Sequence, residues 1–124
     1  AFAPAGTFIN LTDERYVRLS KPRQPGSVLL FNLAGINNLN KAITGPVKVK
    51  LLNAKGLAVS EQRFQVNLEP FLRTDIPVSL IMPSEAGGYV LLAEFTPENG
   101  KTVISRRFLK VGQAEKYSYF YVTP

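Results

Sequence analysis

The stretch EAGGYVLLAEF, Glu85 to Phe95, decides the fold. Gly87 and Gly88 let the chain turn sharply because neither carries a Cβ. Tyr89 then leads an alternation through Leu91, Ala93 and Phe95, the period of a strand with one face on a core. In antiparallel sandwiches a tyrosine near the start of the sixth strand packs its ring inward and bonds its hydroxyl back to the preceding corner. Gly87, Gly88 and Tyr89 fit that corner, so the motif reads as architecture and not as a ligand site.

Working outward, strand follows strand. ERYVRLS (Glu14–Ser20) alternates charged and apolar residues, and the two prolines of KPRQPG (Lys21–Gly26) make it a connection. SVLLFNL (Ser27–Leu33) is an apolar run of strand length. PVKVKLLN (Pro46–Asn53) sets Val47, Val49 and Leu51 against Lys48 and Lys50. NAKG (Asn53–Gly56) is a tight turn into LAVSEQRFQVNL (Leu57–Leu68). DIPVSLIM (Asp75–Met82) carries Pro77, which confines that part to a sheet edge or a strand start. Asn99–Gly100 marks a hairpin from the opening stretch into TVISRRFLKV (Thr102–Val111), and KYSYFYVT (Lys116–Thr123) supplies a last alternating run. AGINNLNKAITG (Ala34–Gly45) reads as a loop, and no window holds an apolar stripe at helical spacing. Seven or eight strands at intervals of about ten residues predict an all-β fold, an immunoglobulin-like or fibronectin-like antiparallel β-sandwich.

The 124 residues suit one domain, 1–124, with 1–6 as a flexible end and 113–124 as a terminal strand or a domain-docking segment. Apolar residues are 45% and charged residues 19%, which argues for a packed globular chain. No apolar run reaches the ~20 residues of a membrane helix. The opening AFAPAG lacks a methionine and a charged leader, as expected of a mature or excised fragment. The net charge of +6 attracts polyanions in general, but the basic residues are scattered and form no block.

Four segments together, PGS (Pro25–Ser27), VKVKLLNAKG (Val47–Gly56), VSLIMPSEAGGYVLLAEF (Val78–Phe95) and ISRRFLKVG (Ile104–Gly112), carry a resemblance. Over roughly Ser27 to Gly112 the chain resembles the immunoglobulin-like accessory modules of bacterial multimodular glycoside hydrolases, such as the sandwiches that flank the family 2 catalytic barrel. The resemblance implies a non-catalytic role, a secreted, periplasmic or cell-surface bacterial setting, and close contact with a larger enzyme. It brings no catalytic residue with it.

The residues themselves offer little chemistry. With no histidine and no cysteine, thiolate metal sites, thiol catalysis and the usual base of a serine nucleophile are all missing. Asp13–Glu14 is the single adjacent acidic pair and lacks the companions of a calcium loop. Glu61, Glu69, Asp75, Glu85, Glu94, Glu98 and Glu115 are dispersed, so neither a catalytic carboxylate pair nor a metal or cofactor site is expected. ERYVRLSKPR (Glu14–Arg23) sets Arg15, Arg18, Lys21 and Arg23 around Tyr16 but matches no nucleic-acid-binding signature. NLT (Asn10–Thr12) fits the N-glycosylation pattern, which is idle in a bacterial protein.

Arg106 and Arg107 must point to opposite faces of a regular strand, so one heads inward and calls for a partner, Glu94 being nearest. Tyr117, Tyr119 and Tyr121 would share one strand face, either as a stacking platform for sugars or as a surface packed on a neighbouring domain. The expected function is a non-catalytic accessory module contacting a catalytic domain or protein partner. A carbohydrate-binding module using those three tyrosines on polysaccharide is the alternative, and a cell-surface adhesion domain is a further one. Neither nucleic-acid binding nor membrane insertion is expected.

Overall fold

The computed structural model describes residues 4–11, 21–98 and 100–120. They form seven strands: β1 (Ala5–Asn10), β2 (Val28–Asn37), β3 (Ile43–Leu52), β4 (Ala58–Leu68), β5 (Arg73–Ile81), β6 (Gly87–Phe95) and β7 (Val103–Val111). All neighbours run antiparallel, in a three-stranded sheet β1-β2-β5 and a four-stranded sheet β4-β3-β6-β7. In constant-type immunoglobulin domains the fourth strand joins the first, second and fifth. Here β4 pairs with β3 instead, which gives the three-plus-four arrangement of a fibronectin-like sandwich.

Period-2 patterning builds the core. Val47, Val49 and Leu51 of β3 face Leu91, Ala93 and Phe95 of β6 in register, and all six are fully buried. Leu29, Phe31 and Leu33 of β2, with Val78 and Leu80 of β5, close over them from the other sheet. The Pro25–Gly26 turn starts β2, with Gly26 at φ 75° and the Ser27 amide donating to Gln24 O at 3.1 Å. Asn53 closes the β3–β4 turn, where Gly56 lies at φ 83° and its amide donates to Asn53 O.

Sheet edges are blunted by side chains and, at β7, by a backbone bridge. β5 is an edge strand, as Pro77 requires, and Gln62 Nε2 donates to Ser79 O at 2.6 Å. On the other edge of the same sheet the Ile9 amide donates to Ser105 Oγ, and Arg107 Nη2 donates to Ile9 O. The edge of β7 is met by Arg23, whose amide donates to Lys110 O and whose carbonyl accepts from Gly112.

Four expectations change. Ala5 and Gly6, assigned to a loose end, are the first residues of β1. The loop over Ala34–Gly45 shrinks to 38–42, because β2 runs on to Asn37 and β3 begins at Ile43. Both extensions are short and broken by glycine or asparagine, so they lack the alternation that marks a strand. Lys116–Phe120 belongs to no strand, since it lies over a sheet face and not along an edge. Arg107 does share the inward face with Leu91 and Leu109, but Glu94 points outward, to an ion pair with Lys50 at 3.0 Å. Strand ERYVRLS, Asp13–Glu14, Asn99 and Tyr121 fall outside the described residues.

Candidate interaction surfaces

The corner that opens β6 is built as its sequence implies. The ring of Tyr89 joins the core, and its hydroxyl donates to Glu85 O at 2.7 Å. Burial, and secondly the Glu85 carboxylate, push the hydroxyl above its ordinary value, because both disfavour the phenolate.

Gly88 has a second purpose that its position alone did not show. After β7 the chain turns at Gly112, with φ 65°, and doubles back across the four-stranded sheet. A Cβ on Gly88 would collide with Ser118 O and lie 2.9 Å from the Tyr119 ring, and one on Gly56 would meet the Phe120 ring at 2.6 Å. Gly88 on β6 and Gly56 in the β3–β4 turn thus form the notch through which the segment 116–120 passes.

Tyr117 and Tyr119 fasten this strap. Tyr117 Oη donates to Gly112 O at 2.6 Å and accepts from the Ala114 amide, while Lys110 Nζ sits 5.5 Å from its ring centroid. The Tyr119 ring packs on Leu52, Val90 and Leu92 and meets Phe108 edge to face at 5.2 Å. Val90 is sealed from solvent although it lies on the outer face of the sheet. Both rings are half-buried. Beside the strap lies a groove of about 300 Å³, lined by Asn53, Lys55, Glu85, Gly88, Lys116 and Ser118.

The outer face of the three-stranded sheet is different. Val28 pairs with Ile81 and Leu30 with Ser79 across β2 and β5. Val28 is 59% exposed, Leu30 73% and Ile81 68%. A depression of about 430 Å³ is lined by Leu30, Phe31, Asn32, Pro77, Val78 and Ser79. The apolar run SVLLFNL announced a strand, but its alternation put only Leu29, Phe31 and Leu33 inside and left the rest facing out.

A third feature is a polar hub that sequence reasoning missed. Asn37 is fully buried; Nδ2 donates to Leu68 O at 2.9 Å and Lys41 O at 2.8 Å, and Oδ1 accepts from the Leu39 amide. Its own amide donates to Leu72 O, so one residue ties the β2–β3 loop to the β4–β5 turn. Nothing in AGINNLN distinguishes Asn37 from Asn38 or Asn40, because the Leu68 and Leu72 carbonyls that fix it are distant in sequence.

Among the described residues no three His, Cys, Asp or Glu side chains gather as a metal site. No helix of the described residues is long and apolar enough to cross a membrane. No protein-family model matches the chain, and comparison with curated proteins returns no match. Among solved structures the chain is similar to the sporulation control protein Spo0M from Bacillus subtilis. The identity is 8% and the TM-score 0.55, over 98% of this chain and 51% of that one. The chain therefore spans about half the length of that structure, and the likeness speaks for the sandwich fold alone.

Proposed function

We propose that this domain is a non-catalytic interaction module, and that it packs against a folded protein domain through the outer face of β2 and β5. The observation that carries this reading is the group Val28, Leu30, Pro77 and Ile81, apolar side chains gathered in register on one open sheet face. Large contiguous apolar surface is unusual on a protein that works alone and marks docking sites. The neighbouring Asn32 and Ser79 supply polar groups on the same face, in keeping with the mixed composition of protein interfaces. The resemblance to accessory modules of exported bacterial glycoside hydrolases suggests a catalytic domain as the partner, in a secreted, periplasmic or cell-surface setting. A non-catalytic role accords with a chain that has no histidine and no cysteine.

Carbohydrate binding through Tyr117, Tyr119 and Tyr121 is the competing reading. A stacking platform needs free ring faces. Tyr117 spends its hydroxyl on Gly112 O, and Tyr119 is wedged against Phe108 and Val90. The strap therefore reads as a cover for its own sheet.

Affinity electrophoresis against neutral and acidic polysaccharides separates the two readings. The docking module should run unretarded in neutral glycans, and any retention in acidic ones should fade with salt, as the +6 charge alone would give. Salt-resistant retention that disappears in Tyr119→Ala would overturn the proposal.

A further inference from the structure

We infer that the protein pairs with a second copy of itself end to end, the Phe71 ring of each copy seating in an apolar groove at the same end of the other. Two turns of the chain share one geometry. In Gln24-Pro25-Gly26-Ser27 and Glu69-Pro70-Phe71-Leu72 the fourth amide donates to the first carbonyl, and proline stands second. The third residue has positive φ in both, 75° at Gly26 and 57° at Phe71. That position suits glycine or asparagine, and a bulky side chain there is strained. No burial within the chain compensates, since Phe71 is 68% exposed and Leu72 beside it is exposed too. A strained aromatic held out in solvent points to a contact outside the chain.

The turn is rigidly placed. The Asn37 amide donates to Leu72 O at 3.1 Å and its side chain to Leu68 O, bracketing Phe71 from both sides. The same side chain donates to Lys41 O and accepts from Leu39, which lines a groove of about 330 Å³ with Pro4, Ile43, Pro97 and Val103. Knob and groove are thus mounted on one hub at one end of the sandwich. Lys41 and Lys101 border the groove against a single acid, Glu98. Glu69 and Asp75 flank the knob in sequence, with Arg73 between them and 3.6 Å from the Asp75 carboxylate, leaving one net negative charge. Both features are apolar, and the charge beside the knob, two acids to one base, is opposite to that beside the groove, two bases to one acid, which selects a second copy over an anionic membrane surface. Because both lie at the same end, a two-fold pairing satisfies them reciprocally and closes at a dimer.

Sedimentation equilibrium on the whole chain tests this with three variants. Phe71→Gly removes the knob while relieving its backbone, so the fold persists, and at dilutions where both proteins are monomeric the melting temperature holds or rises. The wild type should dimerise, and Phe71→Gly should weaken the dimer roughly thirtyfold or more, as loss of a central aromatic anchor does. Leu39→Asp should weaken it as well, through the groove. Leu30→Asp, on the face assigned to another partner, should leave it intact, so this inference and the docking proposal fail separately. A wild type that stays monomeric to about 1 mM would overturn the inference. So would a Phe71→Gly variant that dimerises as tightly, or binding of wild type but not Phe71→Gly to anionic phosphatidylserine vesicles.

Discussion

Tyr89 holds the turn into β6 through one hydroxyl, 2.7 Å from Glu85 O. Tyr89→Phe should therefore cost about 1 kcal/mol, read as a lowered denaturation midpoint. The same group sets an alkaline limit. Its folded pKa lies above the unfolded value of 10.0, so the stability it contributes is whole below pH 10 and is lost as pH rises through the folded pKa. Tyr89→Phe should show a flatter decline than wild type above pH 10 in paired thermal melts. At Gly88 a single methyl is enough to test the notch. Gly88→Ala should push Ser118, and the strap with it, off β6 and speed proteolysis after Gly112, with the β-sheet spectrum unchanged. The tyrosine corner was legible because a corner tyrosine is a local pattern of glycines, aromatic and alternation. The notch was not, since Ser118 meets Gly88 only through the return of the chain. For the same reason the inward arginine was foreseen and its partner was not: parity along a strand sets the face of Arg107, whereas the Ile9 carbonyl comes from the far end of the sequence.

Among the elements, β3 to β7 were readable from alternation, turn residues and Pro77, all local signals. β1 escaped because its short AGTFIN opens on small residues, and its strand character comes from pairing with β2. The strap shows the reverse error. Its Tyr-x-Tyr alternation has the period of a strand, but the segment packs face-on against Leu52, Val90 and Leu92 instead of bonding along an edge. Tyr119→Ala should cost about 1–3 kcal/mol in chemical denaturation, less than a wholly buried aromatic because the ring is half-buried. It should also raise binding of a hydrophobic dye, as Val90 becomes reachable. The loop hub can be tested alike. Asn37→Ala leaves Leu68 O, Lys41 O and the Leu39 amide without their partner, and should cost about 2–3 kcal/mol or more.

At the scale of the whole molecule, the two sheets spend their inner faces on one core, and the four-stranded sheet has part of its outer face covered by the strap. The three-stranded sheet keeps Val28, Leu30 and Ile81 in the open. Fold class was legible because strands and turns are written locally. The docking face was hidden inside an apolar run of strand length, since a sequence does not say which side of a strand will find a second sheet. The most direct test places a photoactivatable phenylalanine analogue at Leu30 in the protein's native cell. A control probe goes at Glu61, on the exposed side of β4. The account predicts one defined protein adduct from Leu30, mapped to an apolar surface of a folded domain, and none from Glu61. No adduct from Leu30, or equal and scattered labelling from both positions, would contradict it.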